Sequence, residues 1–502
     1  MAVSETKPCS TGIAGLDEIL HGGLPRQRFY MIQGDPGVGK TTLALQFLLQ
    51  GARSGEKGLY ITLSETKDEL LAVAKSHGWD LAEIDVLELT SMEQQMLSES
   101  QNTLFHPSEV ELMQTVRIVL DHVEKVQPER VVIDSLSEFR LLSQDALRYR
   151  RQMLSFKQYF AGNGATVLLL DDRTSGDTDL LIQSIAHGVV SLNRLVSDFG
   201  TERRQMSVVK LRGLKYEGGS HDYTIGMGGL TVFPRLQLSA KPVAPQSGPL
   251  SSGIPELDQL LGGAGLERAT GSLFIGPAGV GKSTIAAKFA CAAAERGEKV
   301  AIYIFDENLH TYVQRVEALG MRIRNQMRSG LISIKHVDAA QISPGEFAYE
   351  ICRLADAEKM KVVVIDSLNG YLNAMPEEKF LLLQLHELLA YLSQRGVASI
   401  LVMAQHGLLG DMHSPADLTY LADTVVLLRY FEFQGAIKKS ISVVKKRSGG
   451  HENSIREFRF QDNRLEVGPP LRQFEGILRG VPNFLGGSDA MIKEQREGAL
   501  SS

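Results

Sequence analysis

A glycine-rich phosphate-binding pattern occurs twice in this chain and constrains its fold more than any other feature. The pattern is G-x-x-x-x-G-K-[ST], and each copy follows a short apolar run and precedes a helical one, as the motif requires. The copies are Gly34-Asp35-Pro36-Gly37-Val38-Gly39-Lys40-Thr41 and Gly276-Pro277-Ala278-Gly279-Val280-Gly281-Lys282-Ser283. A glycine turn that only joins a strand to a helix is the alternative. Because the full pattern recurs, we predict two nucleotide-binding sites.

The residue types in each loop indicate its chemistry. Glycines let backbone N–H groups approach phosphate oxygens that a side chain would obstruct. Lys40 and Lys282 would contact the β and γ phosphates, and the hydroxyls of Thr41 and Ser283 would hold Mg²⁺. We therefore predict ATP and Mg²⁺ as cofactors. The predicted binding set also includes the residue after each loop, Thr42 and Thr284.

The composition is typical of a globular protein. The 502 residues are 43% hydrophobic and 22% charged, and no apolar run reaches the roughly 18 residues that span a bilayer. The start lacks the apolar core of a signal peptide, so we expect a cytoplasmic protein without membrane contact. Three widely spaced cysteines, Cys9, Cys291 and Cys352, suit reduced core thiols. A net charge of −6 argues against a protein that binds nucleic acid over its whole surface.

The similarity between the two halves extends beyond the loops. Lys40 and Lys282 are 242 positions apart, and further segments recur in the same order. They are residues 10–17 with 251–258, and 55–57 with 297–299. A repeat of this length is a whole domain with its own core. We predict domains at residues 1–245 and 246–485, joined near the proline-rich stretch 241–248, and a short polar tail at 486–502.

Apolar runs and helical segments alternate within each half. Runs at 59–63 and 166–170 are continuously apolar, as expected for a parallel sheet covered on both faces. Amphipathic segments such as 137–160 would supply the crossover helices. After Val189 the pattern becomes consecutive strands, which indicates an antiparallel edge. The fold class predicted is α/β, with two tandem RecA-like P-loop domains that each have a mostly parallel sheet and helices on both faces.

Each half has an apolar strand that ends in aspartate, at Asp134 and at Asp366. A strand-end aspartate often serves only as a turn or helix-cap residue. After a phosphate-binding loop, however, a carboxylate in this place commonly orders Mg²⁺ and its waters. We predict that Asp134 and Asp366, together with the loop hydroxyls, form the metal sites.

A second carboxylate follows another strand in each half. Glu65 and Glu307 keep the spacing of 242 and would occupy equivalent places beside the strand that leads into the phosphate-binding loop. A solvent-facing glutamate is the alternative, but a carboxylate there can orient or deprotonate an attacking water. We predict Glu65, Glu307 and the adjacent acid Asp306 as catalytic residues. The first half has Ser64 in place of Asp306.

Basic residues end a late strand in both halves. They are Lys210-Leu211-Arg212 and Lys445-Lys446-Arg447. Charges on an edge strand can serve only to prevent edge-to-edge pairing. Because these recur, we predict that Lys210, Leu211, Arg212, Lys445 and Arg447 contact nucleotide held by a neighbouring subunit, where a cation would accelerate hydrolysis.

These features together resemble the KaiC family, the ATPases and autokinases of the bacterial circadian clock. The resemblance rests on the duplicated module, the S-[TS]-G-I-x-x-L-D opening, the strand-end glutamates and the late K-x-R, and it runs from about residue 10 to about residue 485. It implies a homohexamer of two stacked rings with ATP between neighbouring subunits. It also implies a steady ATPase in the first half and a serine/threonine autokinase in the second, acting in circadian-type or stress signalling.

The resemblance places phosphoacceptors just before the motif [IL]-[TA]-D-T. Here that motif is Leu421-Ala422-Asp423-Thr424, and the preceding pair is Thr419-Tyr420 in place of the family's serine and threonine. Phosphorylation at Thr419 and Tyr420 is the expectation, with Tyr420 the poorer acceptor because its hydroxyl reaches further out. Ordinary strand-end residues in a pure ATPase are the alternative. The first half has Gln183-Ser184 at these places.

Partners are also implied by the resemblance. A KaiB-like protein or a histidine kinase is an expected partner. The family's activator KaiA grips a C-terminal tail that the segments 482–487 and 492–496 do not match, so we do not expect KaiA to bind. Asn453 stands where clock proteins have a lysine, which weakens contact with phosphate across the second ring.

Three functions compete at this point. The first is the ATP-hydrolysing, self-phosphorylating hexamer. A variant of this function is a plain ATPase without kinase activity. The second is a RecA- or RadA-type DNA-dependent ATPase, which shares the fold but requires a basic inner surface and stacking aromatics. The third is a scaffold that binds ATP only to hold a ring. The acidic balance, the single tryptophan and the two complete sets of Lys, Asp and Glu favour the first.

Overall fold

The computed structural model divides the chain into two compact units, Met1–Arg235 and Leu236–Ser502. The structure describes residues 7–89, 107–143, 146–173, 183–195, 201–236, 248–373, 378–405, 418–461, 464–479 and 482–485. The predicted tail at 486–502 and most of the predicted linker lie outside these residues. The exact domain limits, 1–245 and 246–485, therefore stay predictions, and each unit is considered by itself.

The first unit is built around a mixed sheet. Its described strands are β1 Phe29–Gly34, β2 Gly58–Thr62, β3 Ile84–Glu88, β4 Arg130–Asp134, β5 Thr166–Asp172, β6 Gly188–Leu195, β7 Arg203–Leu211, β8 His221–Gly226 and β9 Gly229–Phe233. Its described helices are α1 Ala14–Ile19, α2 Lys40–Arg53, α3 Lys67–Ser76, α4 Pro107–Val126, α5 Leu136–Ser143 and α6 Ala146–Gly162.

The strand order of this sheet is β3-β2-β4-β5-β1-β6-β7-β8-β9. The strands from β3 to β6 are parallel, and the pairs from β6 to β9 are antiparallel. Strand β1 is buried along its whole length, since it is flanked by β5 and β6 and covered on both faces by separate apolar clusters. Parallel strands need covered faces, which explains why these runs are continuously apolar.

The second unit repeats this architecture. Its described strands are β10 Pro249–Leu250, β11 Leu266–Glu267, β12 Gly271–Gly276, β13 Val300–Ile304, β14 Ile332–His336, β15 Val362–Asp366, β16 Ala398–Ala404, β17 Thr424–Phe433, β18 Ala436–Lys446, β19 Arg456–Gln461, β20 Arg464–Pro470, β21 Phe474–Glu475 and β22 Asn483–Phe484. Its described helices are α7 Pro255–Leu260, α8 Lys282–Glu295, α9 Leu309–Ala318, α10 Ile323–Arg328, α11 Pro344–Glu358, α12 Leu368–Asn373 and α13 Glu378–Gln394, with a 3₁₀ turn at Ile477–Arg479.

The large sheet of the second unit has the order β14-β13-β15-β16-β12-β17-β18-β19-β20, strand for strand that of the first. Strand β12 is central and parallel to β16 and β17, and the antiparallel part again begins after β17. The α/β fold class, the tandem repeat and the antiparallel edge are therefore confirmed. The segment 137–160, predicted from sequence as one amphipathic crossover segment, contains two helices, α5 and α6.

Two smaller expectations concern cysteines and membranes. All three cysteines are buried in apolar cores and form no disulfide, as predicted. Within the part of the chain that the structure describes, no helix combines the length and apolarity needed to cross a bilayer.

A buried arginine at the start of β4 forms hydrogen bonds and an ion pair with distant parts of the first unit. Arg130 is 1% exposed, and its Nε lies 2.5 Å from Glu56 Oε2. Its Nη1 donates to the carbonyl oxygens of Ser10 and Phe47, at 2.8 and 2.7 Å. Burial alone would raise the pKa of Glu56, but hydrogen bonds from Arg26 and Arg130 lower it. The cation is thus matched by one carboxylate and two carbonyl groups.

We predict that Arg130→Met destabilises the first unit by about 3–5 kcal/mol, because Glu56 stays buried after losing one of its two cations and the guanidinium contacts with two carbonyl groups are lost. Thermal unfolding of the full chain followed by tryptophan fluorescence measures this, since the single tryptophan, Trp79, lies in the first unit. The control is Arg117→Met, where the side chain is 84% exposed and pairs with Asp121 only at 3.9 Å. The two variants unfolding at the same temperature would contradict the assignment.

Candidate nucleotide sites

Each phosphate-binding loop leaves the carboxyl end of a central strand. The first loop follows β1 and leads into α2, and the second follows β12 and leads into α8. Gly37 and Gly39 have φ of 79° and 98°, in the left-handed region that favours glycine. The second loop repeats this at Gly279 and Gly281, with φ of 75° and 121°. Both loops therefore have the backbone that the motif predicted, at the sheet edge where α/β proteins bind ligands.

The lysine of the first loop is buried and folded back over its own backbone. Lys40 Nζ donates to the carbonyl oxygens of Gly34 and Asp35, at 2.9 and 3.0 Å. It also forms an ion pair with Asp172 Oδ1 at 2.6 Å. Asp172 is directly opposite Gly34 in the pairing of β5 with β1, which brings its carboxylate to the loop. A bound phosphate would therefore compete with Asp172 for this ammonium.

The predicted metal pair of the first unit is within contact distance. Thr41 Oγ1 donates to Asp134 Oδ2 at 3.3 Å, and the Tyr60 hydroxyl donates to the same oxygen at 2.5 Å. Asp134 is buried at the end of β4, and this burial raises its pKa despite the hydrogen bond from Tyr60. Thr41 and Asp134 thus lie together beside the loop.

Glu65 follows β2, the strand next to β4. The prediction that it lies beside the loop strand is wrong, because β4 and β5 lie between β2 and β1. Its backbone is held by Thr62, whose Oγ1 donates to the Glu65 carbonyl at 2.7 Å and accepts from the Glu65 N–H at 3.0 Å. Its side-chain Oε2 is buried and has no hydrogen-bond partner among the described residues. Burial, followed by the charge of Asp134, raises the pKa of Glu65. A stronger base results, close to the predicted metal pair.

The second unit has the same lysine and hydroxyl arrangement. Lys282 Nζ donates to the carbonyl oxygens of Gly276 and Pro277, at 2.9 and 2.7 Å. Ser283 Oγ donates to Asp366 Oδ1 at 3.0 Å. Burial lowers the pKa of Lys282 to about 8 and raises that of Asp366 to about 6. For both Lys282 and Asp366, nearby opposite charge does not offset the cost of burying the charged side chain.

The two acids after β13 have different partners. Asp306 accepts a hydrogen bond from the Ser367 hydroxyl. Glu307 forms an ion pair with Arg315, whose Nη2 lies 2.8 Å from Oε2. One cavity is lined by these acids and by the loop and metal residues, namely Ala278, Gly279, Lys282, Ser283, Ile304, Asp306, Glu307, Tyr312, Asp366, Ser367, Val402 and Ala404. The structure therefore brings together the predicted loop lysine, Lys282, the loop hydroxyl of Ser283 and the three acids Asp306, Glu307 and Asp366.

The late basic residues bind backbone of their own chain. Lys210 Nζ donates to the carbonyl oxygens of Gln183 and Ala186, at 2.6 and 2.8 Å, and Arg212 Nη2 donates to that of Ser184 at 2.9 Å. Leu211 pairs with Gly188 across β7 and β6. These contacts hold the segment just before β6, and none of them involves the residues of the first loop.

The second unit shows the matching contacts around the predicted phosphoacceptors. Lys445 Nζ donates to the carbonyl oxygens of Thr419 and Ala422, at 2.6 and 2.8 Å. Arg447 Nη2 donates to the Tyr420 carbonyl at 2.6 Å. Tyr420 is 54% exposed and Thr419 is half-buried. Because the lysine makes the same contacts in both units, Thr419-Tyr420 and Gln183-Ser184 occupy equivalent positions in the repeat, as the sequence comparison predicted.

The residues fit Mg²⁺ as a partner of nucleotide. Among the described residues, no three His, Cys, Asp or Glu side chains converge into an all-protein metal cage. Each unit instead offers one hydroxyl and one carboxylate in contact, Thr41 with Asp134 and Ser283 with Asp366. Mg²⁺ usually keeps several waters and binds through one or two such groups plus phosphate oxygens. The hard oxygen donors present suit that form of binding.

Three residues of the sites were missed by sequence reasoning. Asp172 had a usable signal, because it ends an apolar strand, as Asp134 does. Tyr60 lies inside an apolar strand and had none. Arg315 lies two turns into α9, and the only signal was a difference between the copies, since Val73 occupies its place in the first half.

The sequence matches a family model described as "ATPase: KaiC" at residues 9–237 and again at residues 250–472. It is similar along nearly its whole length to the circadian clock oscillator protein KaiC of Synechococcus elongatus, with 26% identity over 94% of this chain and 91% of that protein. The KaiC of Prochlorococcus marinus strain MIT 9313 is 27% identical over 94% of this chain and 95% of its own length. The circadian clock protein KaiC3 of Synechocystis is 24% identical over 95% of both chains.

The matched segments contain both phosphate-binding loops, both strand-end aspartates and both glutamates. They also coincide with the two sheets of identical strand order. With a family match in each of its two halves, this chain belongs to the KaiC family of ATPases.

Proposed function

We propose that both units bind Mg-ATP and hydrolyse it. One observation carries the proposal. In each unit the loop hydroxyl contacts a buried strand-end aspartate, Thr41 with Asp134 and Ser283 with Asp366. A glutamate follows the strand beside that aspartate in both cases, at the edge of the sheet from which the loop emerges.

Hydrolysis requires a base for the attacking water and a cation for the leaving phosphates. The water oxygen forms a bond to the γ phosphorus while the bond to the β-phosphate oxygen breaks and ADP leaves. In the first unit the water proton passes to the Glu65 carboxylate, which burial makes more basic. Lys40 supplies positive charge after it exchanges Asp172 for phosphate. Bound Mg²⁺ would neutralise charge on the β and γ phosphates.

The strand register supports assembly into a ring, and we propose the homohexamer. Thr424, at the start of β17, pairs with Ser272 near the start of β12, whereas the loop begins at the other end, at Gly276. Four residues of strand separate these ends by about 13 Å. Lys445 pairs with Val425 and so lies at the same end as Thr424. Lys445 and Arg447 can therefore contact a nucleotide only if another subunit provides it.

The second unit is also proposed to phosphorylate Thr419. Thr419 lies before Thr424, at the end of the sheet remote from its own loop, so the phosphate would come from the adjacent subunit. The Thr419 oxygen forms the bond to the γ phosphorus, ADP leaves, and the proton passes to Asp306 or Glu307. Asp306 supports this role, because the first unit has Ser64 in its place. Tyr420 extends its hydroxyl further and is the poorer acceptor.

A signalling role is the broadest part of the proposal. The similar proteins named above are circadian clock proteins, and a role in circadian-type or stress signalling is proposed for this chain by that likeness. A KaiB-like protein or a histidine kinase is the proposed partner. KaiA is not proposed, since the segments 482–487 and 492–496 do not match the tail that KaiA grips in the family. A DNA-dependent ATPase receives no support from the acidic net charge of −6.

The wild type is expected to bind two nucleotides per chain, and Lys40→Ala and Lys282→Ala to bind one each, because each loses its main phosphate contact. In Lys40→Ala the remaining affinity should fall as the pH rises through about 8, where Lys282 loses its proton. The expected slope is about tenfold per pH unit. Calorimetric titration measures both effects, and unchanged stoichiometry in either variant would defeat the binding proposal.

Glu65→Gln should remove hydrolysis at the first site while leaving binding intact, because an amide keeps the shape but cannot accept the proton. A loss of about 10²–10⁴-fold is typical of a missing general base. Glu307→Gln should act in the same way at the second site. Phosphate release measures turnover, and Glu83→Gln, a change outside both sites, serves as control. Substantial turnover in the double variant would show that at least one of the two bases is misassigned.

Phosphate is expected on Thr419 after incubation with Mg-ATP, and the transfer is expected between subunits. Lys282→Ala subunits cannot hold the second-site ATP, and Thr419→Ala subunits cannot accept phosphate. Mixing the two before assembly should restore labelling on the Lys282→Ala chains, as phosphopeptide mapping can show. Tyr420→Phe is the matched control and should be labelled like the wild type. An unlabelled Thr419 in the wild type would leave a double-ring ATPase without kinase activity.

A further inference from the structure

The guanidinium of Arg315 contacts both oxygens of the Glu307 carboxylate. Nη2 donates to Oε2 at 2.8 Å and Nε donates to Oε1 at 3.3 Å. Nη1 donates to Thr284 Oγ1 at 3.2 Å, directly after the second loop. The guanidinium carbon also lies 5.1 Å from the centre of the ring of Tyr312, which is fully buried. Arg315 is therefore held on three sides, and it holds Glu307 in turn.

The first unit lacks this contact. Helices α3 and α9 occupy the same place in the repeat, since each begins two residues after the strand-end glutamate. Val73 takes the position of Arg315, because both residues follow their glutamate by eight positions. A valine cannot donate a hydrogen bond, and Oε2 of Glu65 has no partner among the described residues. The two candidate bases are therefore in opposite electrostatic settings on the same backbone.

The two settings have different chemical consequences. A carboxylate that accepts two hydrogen bonds from a guanidinium must break those bonds before it can turn toward a water. Glu65 has no such restraint among the described residues. General-base catalysis requires the base to reach the water, so the two sites should differ in their rate of hydrolysis.

We propose that Arg315 is a positioning residue that restrains Glu307 and slows ATP hydrolysis at the second site. This rests on the proposed role of Glu307 as base. Thr284 and Tyr312 fix the guanidinium, so the restraint is built into the unit. Asp306 bonds to Ser367 and has no contact with Arg315 among the described residues, so it stays outside the restraint. ATP held longer in this way remains available for transfer to a hydroxyl group.

The test compares turnover in chains whose first site is silenced by Glu65→Gln. In that background Arg315→Val, which copies the first unit, should raise kcat about three- to tenfold, because Glu307 no longer has to break its hydrogen bonds to the guanidinium before it reaches the water. KM for ATP should stay within about twofold, because Glu307 is not expected to bind phosphate. The control is Arg324→Val, which breaks another Arg–Glu pair, with Glu317, away from the cavity.

Two further variants separate restraint from a structural effect. Adding Glu307→Gln to Arg315→Val should cancel the gain, because the arginine acts only through that carboxylate. The reciprocal change, Val73→Arg, should slow the first site in chains whose second site is silenced by Glu307→Gln. This reciprocal variant still tests the proposal if Arg315→Val does not fold.

The outcomes distinguish this proposal from the one on which it rests. If Glu307→Gln removes second-site turnover but Arg315→Val lowers it or leaves it unchanged, the base is correctly assigned and the restraint is wrong. If Glu307→Gln leaves second-site turnover intact, both assignments fail together. A gain in kcat that persists in the Arg315→Val/Glu307→Gln double variant would also overturn the restraint.

Discussion

A buried lysine ammonium, bonded to carbonyl oxygens of its own loop, is the interaction around which each site is organised. Lys40 and Lys282 make this contact with the same two loop positions, at 2.7 to 3.0 Å. An ammonium that leaves water needs compensating oxygens, and the loop carbonyl groups provide them. With those carbonyl groups turned toward lysine, N–H groups of the loop can face a phosphate. The glycines with positive φ make that turn possible.

The same backbone carries two different distributions of charge. In the first unit Asp172 pairs with the loop lysine, while its counterpart in the second unit, opposite Gly276, is Ala404. In the second unit the catalytic candidate Glu307 has a guanidinium partner, whereas Glu65 has none within the described part of the chain. Duplication therefore preserved the frame that holds nucleotide and changed the groups that govern its electrostatics. Such differences alter rates without altering the fold.

The predicted nucleotide-binding residues and the predicted phosphoacceptor region lie at opposite ends of the sheet, one strand length apart. The loops, metal residues and glutamates lie at the carboxyl ends of the strands, where parallel sheets collect functional groups. Thr419, Lys445 and Arg447 lie at the opposite end of β12 and β17. Under the proposed function, a chain with this arrangement would hold one half of a site at each end of the sheet, and the proposed ring would bring the halves together.

Much of this organisation could be predicted from the sequence because it depends on local patterns. The loop motif requires a particular backbone, continuous apolar runs require a covered parallel sheet, and a repeat of 242 residues requires two similar domains. Strand ends in parallel sheets meet at one edge, so Asp134 and Glu65 could be placed near Thr41 before any contact was known.

The partners of those residues were decided only by the tertiary structure. Asp172 reaches Lys40 because β5 and β1 pair in one particular register, and register is not encoded in either strand alone. Arg315 meets Glu307 because the packing of α9 directs it back toward the loop. The sequence by itself determined the fold, the repeat and the residue types at each site. The tertiary structure decided which charges are paired and which are left without a partner, because that depends on burial and on distances between elements far apart in the chain.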